Sequence, residues 1–133
     1  KSTEYNGSQE GHSNKEDDMP VFNNRTPQYA EQVEGGIGRM QRDRLLGGDQ
    51  LGGICSYVAQ ISLEPGCSIG IHQHVGDSEM YFITAGAATY TENDVEYRVE
   101  KGDVLYCPDG SFHGILNSGE DMLSFVAVIQ KCE

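Results

Sequence analysis

The nine residues 55–63, CSYVAQISL, alternate between apolar and polar side chains along most of their length. The even-numbered positions include Ser56, Gln60 and Ser62, whereas every odd-numbered position is apolar or aromatic. A period of two is typical of a β-strand with one buried face, because successive side chains point to opposite sides of a sheet. This stretch therefore predicts a strand that buries Cys55, Tyr57, Ala59, Ile61 and Leu63.

The same alternation continues through the C-terminal half of the chain. Apolar side chains recur at every second position in 95–99 and again in 121–129. Turn-forming residues separate the segments at 64–66, 92–94 and 108–110. Short strands at regular spacing, with no helical pattern between them, are typical of an all-β sandwich or barrel. We predict this fold class.

The charge of the chain restricts its partners. The 133 residues are enough for one domain with its own core. They carry 9 basic and 21 acidic side chains, for a formal net charge of −12. A field of this sign repels nucleic acid and anionic membrane surfaces, so we predict neither as a partner. No apolar run reaches the length of about 18 residues that a transmembrane helix needs.

The four cysteines are widely spaced and form no Cys-x-x-Cys pair, which excludes zinc-finger and thioredoxin-like motifs. A chain long enough to build its own core rarely depends on a disulfide framework. We therefore predict four reduced thiols and a cytoplasmic location. The cysteines are Cys55, Cys67, Cys107 and Cys132.

The N-terminal part of the chain differs from the rest in composition. Residues 1–19 contain no Val, Ile, Leu or Phe, which predicts a flexible acidic tail in which His12 is solvated. The alternative is an arm that becomes ordered only against a neighbouring subunit. Residues 20–53 have an irregular pattern and include the three clustered arginines of the chain's one basic patch. We interpret these arginines as surface counter-charges in preference to an anion-binding clamp. They are Arg39, Arg42 and Arg44.

Three histidines and a glutamate form the chemical feature of the β region. His72 and His74 are two residues apart, so on a strand their imidazoles point to the same face. Glu79 follows after a short polar bend, and His113 comes directly after the 108–110 turn. Polar groups of this kind are costly inside an apolar barrel, and a divalent metal offsets that cost. The alternative is that the histidines are hydrogen-bonded core residues.

The spacing of these residues resembles the two sequence motifs of the cupin family. Residues 66–86 read GCSIGIHQHVGDSEMYFITAG, and residues 102–117 read GDVLYCPDGSFHGILN. Fifteen residues separate the two stretches, as in small bacterial single-domain cupins. The matching positions of the first motif are Gly66, His72, His74, Glu79 and Gly86. Those of the second motif are Gly102, Pro108, Gly110, His113 and Asn117.

The resemblance implies a double-stranded β-helix, which is a jelly roll of two packed antiparallel sheets. It implies one divalent transition metal per chain, whether Fe, Mn, Ni, Co, Zn or Cu. It also implies a homodimer formed through sheet faces or exchanged N-terminal strands. Residues 51–133 would form the barrel, and residues 20–50 an N-terminal arm with edge strands. The metal ligands that the resemblance implies are His72, His74, Glu79 and His113.

Four protein ligands on an octahedral metal leave two positions open, where a small molecule alone or together with O₂ can bind. Tyr57 and Tyr81 are the candidate catalytic residues, as proton donors or as groups that orient a substrate oxygen. The alternative is that both are ordinary core residues. If the alternation holds, the lining is mostly apolar and consists of Tyr57, Ala59, Ile61, Tyr81, Ile83, Phe125 and Ala127.

We therefore predict a metalloenzyme that acts on a small molecule. An apolar lining favours oxidation, so a dioxygenase is the first expectation, and an isomerase or lyase is the next. The first alternative is a non-catalytic cupin that uses its metal to bind or sense a small ligand. The second is a structural barrel in which the histidines only form hydrogen bonds.

Overall fold

The computed structural model describes residues 20–23 and 25–132, so the predicted acidic tail at 1–19 lies outside the described residues. This part of the chain forms ten strands, and every strand pairing is antiparallel. The strands are β1 (Gln28–Glu31), β2 (Arg39–Gly47), β3 (Cys55–Leu63), β4 (Ser68–Gln73), β5 (Asp77–Ala85), β6 (Ala87–Glu92), β7 (Val95–Glu100), β8 (Val104–Cys107), β9 (Phe112–Leu116) and β10 (Leu123–Lys131).

The strands form two sheets that enclose a single core. One sheet has the order β1-β2-β3-β10-β5-β8, and the other has the order β4-β9-β6-β7. From β3 onward the chain crosses repeatedly between the sheets, which is the path of a double-stranded β-helix. The all-β prediction and this fold are both confirmed. In the described part of the chain, no helix has the length and apolar character needed to cross a membrane.

The pairing of β3 with β10 aligns the apolar faces that the sequence predicted. Ile61 lies opposite Phe125, and Leu63 lies opposite Leu123. All four side chains are at most 2% exposed, because cross-strand partners point to the same side of the sheet. The four-stranded sheet contributes Ile69, Ala88, Tyr90, Val99 and Ile115 to the same core.

The predicted turns connect the strands. Residues 64–66 join β3 to β4, 92–94 join β6 to β7, and 108–110 join β8 to β9. Gly86, between β5 and β6, has φ +87°, and a Cβ there would lie 2.7 Å from the carbonyl oxygen of Met122. Only glycine fits this junction, because a side chain would meet both a strained backbone and a fixed carbonyl.

The segment 20–50 carries β1 and β2, which lie at one edge of the six-stranded sheet. The pairing of β2 with β3 shifts between Arg44 and Leu46, which marks a bulge. Between the two strands, a 3₁₀ turn at Val33–Gly35 lies against β4. The bulge interrupts the alternation, which is why the sequence of β2 shows no clear period of two.

Candidate metal centre

Three strands bring the four predicted ligands together. His72 lies on β4, His74 directly follows that strand, and Glu79 lies on β5. His113 on β9 pairs in register with His72, which places both imidazoles on one face of the four-stranded sheet. One ligand atom from each of the four residues lies within 4.8 Å of the others. The cluster is buried except at His72, which is half-buried.

Each imidazole is held through its Nδ1 atom. His72 Nδ1 lies 2.8 Å from the carbonyl oxygen of Gly70, which can only accept a hydrogen bond. His74 Nδ1 lies 2.8 Å from Asp77 Oδ1, which as a carboxylate oxygen is also an acceptor. His113 Nδ1 lies 3.0 Å from the hydroxyl of Tyr90. Nδ1 of His72 and His74 is therefore the donor in each case, which leaves Nε2 as the atom available to a metal.

The Nε2 atoms of His74 and His113 point to the same place. They lie 3.1 Å apart, and they are 3.0 Å and 3.2 Å from Glu79 Oε1. Imidazole nitrogens with one carboxylate are a ligand set that divalent transition metals prefer. The Nδ1 atoms of the three histidines already have hydrogen-bond partners, which hold the rings with Nε2 directed at the cluster. This arrangement is typical of histidines that bind a metal ion.

Burial and hydrogen bonds set the charge of this cluster. The hydrogen bond to Glu79 outweighs burial and, with Asp77, raises the pKa of His74 to about 9. Burial alone would raise the pKa of Glu79, but its contacts with the imidazoles of His113 and His74 lower it below its ordinary value. In the metal-free protein at neutral pH, a protonated His74 therefore faces an ionised Glu79.

The cluster opens onto a cavity of about 360 Å³ between the sheets. Arg42, on β2, lines this cavity together with His72, His74 and Glu79. Its Nε atom is buried and has no hydrogen-bond partner among the described residues, and its Nη2 lies 3.4 Å from Gln28 Oε1. The prediction of a surface counter-charge is therefore wrong for Arg42.

The other two arginines remain on the outside. Arg39 and Arg44 are exposed, and they lie over the rings of Tyr29 at 4.5 Å and Tyr57 at 4.8 Å. Neither lines the cavity beside the ligand cluster. Both lie on the surface as the sequence predicted, but among the described residues neither forms an ion pair with an acidic side chain, so their role as counter-charges stays a prediction.

Both predicted catalytic tyrosines line the cavity. Burial is the main cause that raises the pKa of Tyr57, and it raises that of Tyr81 further. Both phenols therefore stay protonated at neutral pH and can act as hydrogen-bond donors. Tyr81 stacks on His113 with 5.1 Å between the ring centroids. Their catalytic role stays a prediction.

The cavity is more polar than the predicted lining. Of the seven residues expected there, Tyr57, Ile61 and Tyr81 line it. The other four are fully buried in the core beyond the cavity: Ala59, Ile83, Phe125 and Ala127. In their place the cavity has three charged residues that the sequence interpretation did not assign to it, and these are Glu34, Arg42 and Asp77.

The residues behind the imidazoles were also missed. Asp77 stands three positions from His74, a spacing that offered a local signal. Tyr90 and Glu92 are two residues apart on β6, and so share a face, but only the sheet register brings them to His113. That register could not be read from the sequence.

All four cysteines are free thiols in this structure, and the predicted reduced state in the cell stays a prediction. Burial is the main cause that raises the pKa of Cys107 to about 12. Cys107 is therefore a protonated core residue at neutral pH and not a nucleophile.

Comparisons with known proteins agree with this architecture. The family model described as "Cupin domain" matches residues 59–129. The oxalate-binding protein of Thermotoga maritima is 33% identical over 104 residues, which are 78% of this chain and 86% of that protein. A crystal structure from the same organism, described as a predicted oxalate decarboxylase, superposes with a TM-score of 0.81 at 32% identity. The superposition covers 85% of this chain and 99% of that one.

A more distant neighbour supports the fold alone. The structure of KdgF from Halomonas sp. has a TM-score of 0.68 at 17% identity, over 86% of this chain and 96% of that one. The family match spans more than half of the chain, and it includes the whole ligand cluster. The chain therefore belongs to the cupin family, as its two sequence motifs predicted.

Proposed function

We propose that this chain is a metal-dependent cupin that binds a small carboxylate-bearing molecule between its two sheets. In this proposal His72, His74, Glu79 and His113 hold one divalent transition metal. The guanidinium of Arg42 holds the negative charge of the ligand at the opposite wall of the cavity. The observation that carries the proposal is that His72, His74 and Glu79 of the ligand cluster line one cavity with Arg42, whose buried Nε has no hydrogen-bond partner among the described residues.

The position of Arg42 supports an anionic ligand. Arg42 lies opposite Ile61 in the β2–β3 pairing, so its side chain is on the core-facing side of the sheet. A buried N–H without a partner costs free energy, and a bound anion removes that cost. A planar guanidinium also matches a carboxylate in geometry, because two parallel hydrogen bonds can form.

The volume of the cavity and its other charged residues restrict which molecules can bind. Asp77 Oδ1 is engaged by His74, and Glu34 lies at an exposed position of the 3₁₀ turn. A cavity of about 360 Å³ suits a small molecule that avoids these carboxylates and reaches both the cluster and Arg42. The relative in Thermotoga maritima is named for binding oxalate, a molecule of this class.

A metal bound here would supply a Lewis acid for a carboxylate oxygen. The residues of the chain do the rest of the recognition. Tyr57 and Tyr81 offer protonated hydroxyls to the ligand, and Arg42 offers charge. The buried, apolar side chains of Ile61 and Ile69 complete this part of the lining.

Two measurements test this function. Elemental analysis of the purified protein is expected to find about one divalent transition metal per chain. Calorimetric titration with oxalate is then expected to give binding to the Zn²⁺-loaded protein and none to the metal-free protein. Absence of metal after reconstitution, or equal oxalate binding with and without metal, contradicts the proposal.

Arg42→Gln and Arg39→Gln form a matched pair for the anion contact. Both substitutions remove one positive charge from β2, but only Arg42 lines the cavity. The loss of a charged hydrogen bond predicts a roughly 10- to 100-fold weaker oxalate affinity for Arg42→Gln. Arg39→Gln is expected to bind oxalate with wild-type affinity. An equal loss of oxalate affinity in both variants would mean that Arg42 acts only through its long-range charge and not through a direct contact.

Oxidation of the bound molecule is a second candidate, in line with the dioxygenase expectation. The cavity is more polar than the lining on which that expectation rested, so its remaining support is that the protonated phenols of Tyr57 and Tyr81 can orient a substrate oxygen there. Oxygen uptake by Fe²⁺-loaded protein in the presence of small carboxylates tests this activity. If the wild type consumes oxygen no faster than His113→Ala does, oxidation is contradicted and ligand binding is the function that stays proposed.

We also propose that the chain forms a homodimer through the outer face of the six-stranded sheet. Phe82 lies opposite both Val104 and Val126, and Phe82 and Val104 are 40% and 61% exposed. Contiguous exposed apolar side chains of this kind mark interfaces. Light scattering is expected to give a dimer for the wild type and a monomer for Phe82→Glu. Ile71→Glu, on the other sheet, is expected to remain dimeric.

A further inference from the structure

His113 is the most enclosed of the four predicted ligands, and its outer nitrogen faces away from the ligand cavity. It is 1% exposed and does not line that cavity. Its Nδ1 lies 3.0 Å from the hydroxyl of Tyr90, and that hydroxyl lies 2.6 Å from Glu92 Oε1. The three groups therefore form one hydrogen-bonded chain from β9 to β6.

The positions of the protons along this chain follow from the acceptors. Glu92 Oε1 is a carboxylate oxygen, so the single proton of the Tyr90 hydroxyl is donated to it. The oxygen of Tyr90 is then left to accept, and His113 Nδ1 must donate to it. This order places the ring proton of His113 on Nδ1 and leaves Nε2 directed at Glu79 and His74.

The register of the sheet holds the chain of hydrogen bonds in place. Glu92 pairs with His113 across β6 and β9, and Tyr90 pairs with Ile115 in the same ladder. Tyr90 is 3% exposed, and its ring meets that of His113 edge to face with 5.6 Å between centroids. Since both strands are fixed by this ladder, the hydroxyl can reach His113 without rearrangement.

The outer end of the chain opens to a different side of the molecule. Tyr90 and Glu92 line a second cavity of about 460 Å³, which shares no lining residue with the cavity beside the ligand cluster. Tyr97, the cross-strand partner of Tyr90, lines the second cavity as well and is 51% exposed. The carboxylate of Glu92 can therefore stay hydrated while its inner oxygen accepts from Tyr90.

We propose that Tyr90 and Glu92 are positioning residues that hold His113 in the Nδ1–H tautomer, so that Nε2 is free to bind the metal. This inference rests on the proposed metal site but reaches it from the side opposite the ligand. Outer hydrogen-bond partners of metal-binding histidines commonly change metal affinity by about 10- to 100-fold when they are removed. The same range is expected for the loss of the Tyr90 hydroxyl.

Tyr90→Phe removes the hydroxyl and keeps the packed ring, and Tyr97→Phe is its matched control in the second cavity. Competition titration with Zn²⁺ is expected to give an affinity about 10- to 100-fold lower for Tyr90→Phe and unchanged for Tyr97→Phe. Glu92→Gln can still accept from Tyr90 but lacks the charge, so its affinity is expected to lie between those of the wild type and Tyr90→Phe. This variant provides a second test if Tyr90→Phe does not fold.

Nitrogen-15 spectra of the histidine rings in the metal-free protein report the tautomer directly. The Nδ1–H form of His113 is expected in the wild type and in Tyr97→Phe, and a mixture of tautomers in Tyr90→Phe. A wild-type tautomer or a wild-type Zn²⁺ affinity in Tyr90→Phe would overturn the inference. If the wild type binds no Zn²⁺, the proposed function fails, and the metal-free spectra still decide the role of Tyr90.

Discussion

Replacement of His113 by alanine separates a metal site from a hydrogen-bonded core. Ile115 offers a matched control, because it lies two residues further along β9 and is equally buried at 2% exposure. Both His113→Ala and Ile115→Ala open a cavity in the core, and each is expected to destabilise the metal-free protein by about 2–5 kcal/mol. Only His113→Ala removes a predicted metal ligand.

The response to metal distinguishes the two variants. A ligand present at 100 times its Kd stabilises the folded state by about 2.7 kcal/mol. For a domain of this size, that corresponds to a rise in Tm of roughly 10 °C. The wild type and Ile115→Ala are both expected to show this rise when Zn²⁺ is added, although Ile115→Ala starts from a lower Tm. His113→Ala keeps only three ligands, so its rise is expected to nearly vanish.

Thermal unfolding followed by circular dichroism, with and without Zn²⁺, measures these shifts. An equal metal-induced rise in His113→Ala and in the wild type would refute the assignment of His113 as a ligand. Absence of a rise in every protein, the wild type included, would favour the interpretation in which the histidines only form hydrogen bonds. A smaller rise in Ile115→Ala than in the wild type would show that core packing and metal affinity are coupled.

Two further predictions concern the pH dependence of binding and the mouth of the cavity. Since Glu79 raises the pKa of His74 to about 9, metal must displace a proton from its Nε2 at neutral pH. The apparent Kd for Zn²⁺ is expected to tighten by about tenfold per pH unit from pH 7 and to level off above about 9, with proton release measured by calorimetry in two buffers. An added Cβ in Gly70→Ala would overlap the carbonyl of Glu34, so the 3₁₀ turn must move off β4. Overpacking of this kind is expected to lower the free energy of unfolding by about 1–3 kcal/mol. It is also expected to weaken the binding of oxalate more than the binding of Zn²⁺. Equal losses of affinity for oxalate and for Zn²⁺ would contradict an effect confined to the 3₁₀ turn.

The sequence predicted the barrel because several of its strands alternate clearly. Strands β3, β7 and β10 have apolar side chains at every second position along most of their length, and each predicted turn ends a strand within a residue or two. The spacing of His72 and His74 predicted a shared face for their imidazoles, and the resemblance to the cupin motifs added Glu79 and His113 to the ligand set. Strand β2 could not be recognised from the sequence, because it places Arg42 inward and contains a bulge after Arg44. Both features break the apolar pattern by which strands are recognised.

The lining of the cavity depended on side-chain size as well as on alternation. Tyr57, Ala59 and Ile61 share the inward face of β3, but only Tyr57 and Ile61 line the cavity. Ala59 lies between them and is fully buried, and its side chain is a single methyl group. A period of two separates the two faces of a strand, whereas the residues that border a void also depend on how the other strands pack around it.

The proposed function divides the site between two parts of the chain. The four residues of the ligand cluster belong to the stretch that matches the family model, 59–129, whereas Arg42 and Glu34 precede it. Strand β2 lies between β1 and β3, so it forms no ladder with β4, β5 or β9, which carry or adjoin the four predicted metal ligands. In the proposed function, a substitution at position 42 would therefore change the ligand that is selected and leave the predicted metal site in place. Metal binding and ligand choice could then be altered independently of each other.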